Sequence, residues 1–385
     1  MSRGLQLALA IALATASVLV AAGCRDQDLP TPGAETTGGA PAGPPRHMET
    51  VQVNEGYPTA AFVRTFYVES KDRVVVTFGT GDYTKVAMGL PGGCPDARMG
   101  YAYREFTTDM KDTGDTGYFV EFSGSCAAGD SASVMVGDDY YFLGGAMGGP
   151  GLWRLRRFDS RWRETGSVDI KLDQRTEAMN DQMLAFAGGQ LIASSLHVEG
   201  GIGTGPLDQR KTDPTKGEGT FQKIVTTDLE LAGERVLDDS PHINGSSLVE
   251  VDGIYNLVTS RAFFGEVLVL QYDREWNFLG EKKLAEWGQW VQGALYDNGR
   301  FYIVYVDTSV KGAANIVLGV YDSDWDLVSS TPVTTYAPDS LKGAGRPSVM
   351  KHGNRLYVSY DVESFSPQRR EENKDWQGYV AIFEL

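Results

Sequence analysis

Six times along the chain a short β-prone run ends in an aromatic-acidic turn. The copies read Phe106-Thr107-Thr108-Asp109-Met110, Phe158-Asp159-Ser160-Arg161-Trp162, Thr227-Asp228-Leu229-Glu230-Leu231, Tyr272-Asp273-Arg274-Glu275-Trp276 and Tyr321-Asp322-Ser323-Asp324-Trp325. The sixth is Phe383-Glu384, with only Leu385 after it. Their starts are separated by 52, 69, 45, 49 and 62 residues. Self-similarity at such a period marks an array of supersecondary units, none of which buries its apolar face alone.

Upstream of the turns lie hairpins, clearest in Leu248–Val258, Ala294–Val304 and Ser348–Val358. Asp252-Gly253, Asn298-Gly299 and Gly353-Asn354 supply the positive φ that a tight hairpin turn demands. The flanking runs are rich in Val, Tyr, Phe and Ile, which suit a pleated, half-buried surface. Each unit therefore reads as strand A, turn, strand B, loop, strand C, acidic turn, strand D. The A strands are expected near Thr59, Ser131, Asp181, Ser246, Val291 and Pro347. The expected fold is all-β, a β-propeller of six blades, with five or seven left open by the degenerate first and third units. The last unit has no residues for strand D, whereas Met48 to Val53 precedes the first A strand with alternating apolar character. An open edge invites aggregation, so this N-terminal strand is expected to complete the last blade and close the ring.

Trp162, Trp276 and Trp325 recur at one position of the repeat, which points to packing between blades rather than to a sugar platform. Asp322, Asp324 and Asp326 alternate as calcium loops do, but no Gly follows and the sister turns carry Arg or Asn there, so no metal is expected.

Arg3, the apolar Leu5 to Val20 and the small residues Ala21-Ala22-Gly23 read as an export signal over residues 1–23. With Cys24 next, Ala21-Ala22-Gly23-Cys24 resembles a bacterial lipoprotein signal, although Ala21 stands where Leu is usual. The resemblance implies that Cys24 is lipidated and becomes the mature N-terminus. It places the protein in the cell envelope, bound to membrane through the lipid alone. Arg25 rather than Asp after the Cys leans toward the outer membrane. Residues 24–46 then form a Pro/Gly/Thr-rich tether, whose composition supports no core, with a reach of about 25 Å. Residues 47–385 form the propeller. Cys94 and Cys126 remain, an even pair in an oxidising compartment, and a disulfide is expected between them.

Removing a signal whose only charge is Arg3 leaves 34 basic against 51 acidic residues. That balance argues against nucleic acid, which is held by Lys and Arg at phosphates. Phosphate loops, nucleophile elbows and zinc-spacing motifs do not occur, and no cofactor is expected.

The long connections, Thr80 to Arg98, His197 to Thr220, Glu363 to Gln377 and Ser123 to Asp130, all fall on one face of such a ring. Long insertions on one side mark the binding face of a repeat array. Entrances to the A strands and ends of the B strands bring Asn180, His197, His242, Asn244, Arg261, Gln289, Trp290, Gln292, Arg346 and Glu363 to its funnel. Amide, imidazole, guanidinium and indole groups there suit a glycan or a protein partner of the envelope. Non-catalytic binding is the leading expectation. The alternative is a glycoside hydrolase using Asp181, Asp307 and Asp361, because such catalysis needs two carboxylates flanking the bond. The Pro347–Asp361 hairpin resembles those of furanosidase-type and sialidase-type propellers. However, the sialidase pattern Ser-x-Asp-x-Gly-x-Thr-Trp is absent, and the three-carboxylate set of the furanosidases has no match.

Overall fold

The computed structural model describes residues 43–82, 99–122, 128–146, 153–170, 182–197, 219–237, 243–261, 265–310, 313–338, 340, 342–364 and 376–385. Strand β1 (Arg46–Gln52) is followed by a first unit, β2 (Ala61–Val68), β3 (Arg73–Thr80), β4 (Met99–Phe106) and β5 (Asp112–Phe122). The second is β6 (Ala128–Val136), β7 (Asp139–Ala146), β8 (Trp153–Phe158) and β9 (Glu164–Ile170). The third is β10 (Met183–Ala187), β11 (Gln190–His197), β12 (Gly219–Val225) and β13 (Leu231–Leu237). Next comes a seven-stranded sheet, β14 (Ile243–Val251), β15 (Ile254–Arg261), β16 (Gly265–Tyr272), β17 (Phe278–Asp297), β18 (Arg300–Asp307), β19 (Asn315–Tyr321) and β20 (Leu327–Pro332). Its fourth and fifth units share β17, which ends the one and begins the other. The sixth unit is β21 (Lys342–His352), β22 (Arg355–Ser364) and β23 (Gln377–Glu384), with β1 as its outer strand. Among the described residues only the 3-10 turn Glu69–Lys71 is helical.

The expected N-terminal partner strand is therefore present, as an antiparallel ladder from Arg46↔Glu384 to Gln52↔Tyr379. The innermost strands begin somewhat earlier than expected in three units, at Ala128, Ile243 and Lys342, because each extends through a bulge. The fifth does not start at Val291 at all but continues from Phe278.

Apolar clusters lie between successive sheets. Tyr141, Leu143, Leu184 and Leu191 join the second unit to the third, and Val267, Val269, Ile303 and Tyr305 join the fourth to the fifth. Val74, Val76 and Phe78 of the first unit pack against Tyr357, Val380 and Ile382 of the last.

In three units a carboxylate organises the repeated turn, and in the first and third the hydroxyls of Thr107 and Thr226 take its place, accepting the N–H groups of Lys111 and Glu230. Asp159 Oδ1 accepts the backbone N–H groups of Arg161 and Arg163, and Asp322 Oδ1 those of Asp324 and Asp326. Carboxylates that fold their own backbone are the local alternative to sheet pairing that Asp offers. The residue after the turn is left-handed in five units: Met110, Trp162, Leu229, Trp276 and Trp325, with φ between 54° and 66°. That conformation packs Trp325 against its own unit and Trp162 across the seam to the first. Trp325 stacks on Phe301 at 3.8 Å and Trp162 on Tyr103 of the first unit at 4.5 Å. Trp162 also donates Nε1–H to the buried Glu105, 3.2 Å away.

Candidate functional site

The innermost strands share a defect. Register slips between Ala61 and Arg64 in β2, Ala128 and Ser131 in β6, Ile243 and Ser246 in β14, Gln289 and Gly293 in β17, and Gly345 and Ser348 in β21. Inside four of these bulges sits a left-handed residue: Phe62 (φ 55°), Gly245 (64°), Trp290 (48°) and Arg346 (48°). Glycine takes this conformation freely, whereas a bulky residue pays about 1–3 kcal/mol. Three units, the fifth, sixth and first, hold large side chains there, and all three converge on one point. Bulges re-aim side chains, and here they aim them inward at Asp361.

Asp361 is 0% exposed. Its Oδ2 accepts from Arg346 Nε at 2.8 Å and its Oδ1 from Arg346 Nη2 at 3.0 Å, a planar two-point fork. The backbone N–H of Phe62 also donates to Oδ2, at 2.8 Å. The Arg346 guanidinium carbon lies 4.9 Å from the Phe62 ring centre, 5.4 Å from Trp290 and 4.8 Å from Trp376, so three aromatic rings surround the cation. Glu363 Oε2 stands 3.6 Å from Arg346 Nη2. Gly345 is required for this packing: a Cβ there would meet Asp361 Oδ1 at 3.1 Å and the Trp290 ring at 3.3 Å.

A second buried cation ties the cluster across the seam. Arg64 Nη1 donates to the carbonyls of Val63 and Arg346, both at 3.0 Å, and Nη2 to Gln292 Oε1 at 2.8 Å. Burial pushes Arg64 below its usual range, while the Asp130 and Asp361 charges oppose the shift. Further round, Gln182 Nε2 donates to the Asp130 carbonyl at 3.2 Å. The Oε1 atoms of Gln182 and Gln289 are buried without a protein partner.

Burial also raises Glu363 above the ordinary carboxylate range; the Asp361 charge adds to the shift and Arg346 opposes it. A carboxyl raised on folding contributes stability that is whole below its unfolded value, about 4.3, and drains away as pH climbs through the folded value. Glu363→Gln should therefore gain on the wild type between pH 4 and pH 7. Denaturant midpoints at the two pH values check this, and an unchanging gap would refute the burial effect.

Of the residues expected at the funnel, the structure gathers Gln289, Trp290, Gln292, Arg346 and Glu363. Arg346 is not a free donor but 9% exposed and forked onto Asp361. Asp361 is the counter-ion of Arg346, and both its oxygens accept hydrogen bonds. Asp307 lines a separate recess with Val310, Asn315, Pro332, Thr334 and Tyr336, and its Oδ1 accepts the Ser309 N–H at 2.8 Å. His197, Asn244 and Arg261 lie on β11, β14 and β15. Asn180, Asp181, His242, Cys24, Cys94 and Cys126 lie outside the described residues. Sequence reasoning missed Phe62, Arg64 and Trp376. For Arg64 a signal existed, a lone charge in the apolar run Ala61-Phe62-Val63-Arg64. Among the described residues no cluster of His, Cys, Asp and Glu is suited to a metal.

No protein-family model matches the sequence, and no curated protein matches it. Among solved structures, a protein of unknown function from Dyadobacter fermentans is similar at 12% identity and TM-score 0.62, over 89% of this chain and 99% of that one. The subtype N11 neuraminidase-like protein of A/flat-faced bat/Peru/033/2010 is similar at 8% identity and TM-score 0.50, over 87% and 90%. At these identities the likeness shows the fold alone. The chain has a β-propeller-like, all-β fold.

Proposed function

We propose that this chain is a lipid-anchored protein of the bacterial cell envelope, a six-bladed propeller that binds a glycan on its long-connection face without cleaving it. In this reading residues 1–23 are the export signal, Cys24 carries the lipid, residues 24–46 are the tether, residues 47–385 are the propeller, and Cys94 and Cys126 form a disulfide. The six blades close as a ring through β1 and the seam between the first and sixth units.

The observation that carries the binding role is the state of Asp361. Glycoside cleavage requires two carboxyl groups flanking the bond, one as acid and one as base or nucleophile. Here the central carboxylate is spent on Arg346 and Phe62, the indoles of Trp290 and Trp376 flank the Arg346 cation, and the amide oxygens of Gln182 and Gln289 have no protein partner. Such groups suit stacking and hydrogen bonding to a hydroxyl-rich ligand. Hydrolysis is the second reading, favoured by Glu363 alone, whose raised carboxyl has the character of a general acid.

The test is a glycan array probed with the mature protein, beside Trp376→Ala, which lies outside the strands. Loss of one aromatic contact worth about 0.5–1.5 kcal/mol weakens binding up to about tenfold. Retained melting temperature with weakened binding supports the proposal. Capture of an envelope protein with no glycan bound would replace the ligand class, and released sugar products abolished by Glu363→Gln would establish the hydrolase. In the same cells, Cys24→Ser should move the protein out of the membrane fraction; unchanged retention would defeat the anchor.

A further inference from the structure

The repeat contains its own control for surface chemistry. In each of the first five units, the residue paired with the last aromatic or apolar residue of the third strand opens the outer strand on the tight-turn side. These pairs are Phe106↔Asp112, Phe158↔Glu164, Val225↔Leu231, Tyr272↔Phe278 and Tyr321↔Leu327. The first two units thus present Asp112-Thr113 and Glu164-Thr165, as soluble outer edges usually do. The next three present Leu231-Ala232, Phe278-Leu279 and Leu327-Val328 instead. Leu231 is 56% exposed, Phe278 47%, Leu279 54%, Leu327 57% and Val328 41%. One half of the rim is apolar at positions where the other half is polar.

The N-terminal segment leaves the domain at the end of this arc. Arg46 pairs with Glu384, and the next residue, Leu385, donates its N–H to Asn354 in the β21–β22 turn. The chain therefore exits on the tight-turn side, from the outer strand of the sixth unit, beside the fifth. Met48, two residues from that exit on β1, is 40% exposed. Only 21 residues separate Arg46 from Cys24.

We infer that this arc is a membrane-resting surface: Leu231, Phe278, Leu279, Leu327, Val328 and Met48 seat the domain on the lipid bilayer to which Cys24 fastens it. The inference rests on the anchor proposed above. Exposed apolar arcs mark interaction surfaces, and this one adjoins the exit of the segment that leads to the acyl chains. Anchored side chains need little affinity of their own, because attachment keeps the bilayer at high effective concentration. The chain's acidic balance selects a neutral, zwitterionic lipid face over an anionic one.

The experiment reconstitutes the full mature protein into phosphatidylethanolamine/phosphatidylcholine vesicles containing a photoreactive acyl chain, then maps the adducts by mass spectrometry. Adducts are expected on peptides carrying Phe278-Leu279 and Leu327-Val328, at least fivefold above those carrying Asp112-Thr113 and Glu164-Thr165. Leu279→Glu with Leu327→Glu should erase that excess while the melting temperature holds. Equal labelling of both halves, or none, overturns the inference. The mass of the N-terminal peptide in the same sample reports the acyl chains separately. An acylated terminus without arc adducts sinks this surface and spares the anchor. Where no acyl mass appears, excess vesicles are added directly, and adducts confined to the arc support the surface whereas their absence refutes it.

Discussion

Asp361→Ala should be among the most damaging single substitutions in the chain, lowering unfolding free energy by about 3–5 kcal/mol. The change removes the two-point fork from a buried cation that sits among three aromatic rings, leaving Glu363 3.6 Å away, and removes the acceptor for the Phe62 N–H. Breaking a buried pair from one side is costly for that reason, whereas replacing both partners with apolar residues is often near neutral. The Arg346→Met, Asp361→Leu double variant should therefore be more stable than Asp361→Ala alone, with the Phe62 N–H as the residual loss. Urea midpoints for the three proteins decide it. A loss below about 1 kcal/mol for Asp361→Ala would mean that neither the fork within the sixth unit nor its Phe62 link to the first adds much stability.

Removing residues 46–52 should have a larger effect still, the loss of a single cooperative unfolding transition and the appearance of oligomers. The deletion exposes the full length of β23, whose ladder to β1 runs from Glu384 to Tyr379. An uncovered strand of this kind pairs with whatever edge it meets. Val51→Pro is the milder variant, deleting one pairing position opposite Val380. Sedimentation velocity and calorimetry measure both. A deletion variant that stays monomeric with an unchanged melt would show that β1 only decorates the sixth unit.

The repeated turn made much of the architecture readable before any coordinates, because Asp159, Asp273 and Asp322, and the Thr107 and Thr226 hydroxyls in their place, perform a local task that composition reveals. Its tryptophans were legible as packing groups for a related reason: they occupy the same position of the repeat. The strand β1 was found on weaker grounds. Its alternating pattern suggested burial, yet Met48 is exposed and only Val53, just beyond it, is fully buried; pairing rather than amphipathicity places it. The site was less legible. A bulge shifts the facing of every following residue, so alternation could not tell that Phe62, Trp290 and Arg346 share a centre. Nor does any local pattern distinguish a carboxylate that contacts ligand from one that neutralises an arginine fifteen residues earlier. Trp376 lay hidden beside a long connection, where apolar residues carry no period.

The shared strand β17 carries a structural implication. Gly288 pairs with Gly265 on one flank and Asp307 on the other, so a single peptide segment belongs to two ladders at once. The fourth and fifth units are accordingly joined by a continuous strand rather than by a linker. Trp290 beside the Arg346 cation and Phe278 at an outer edge thus lie on one unbroken strand.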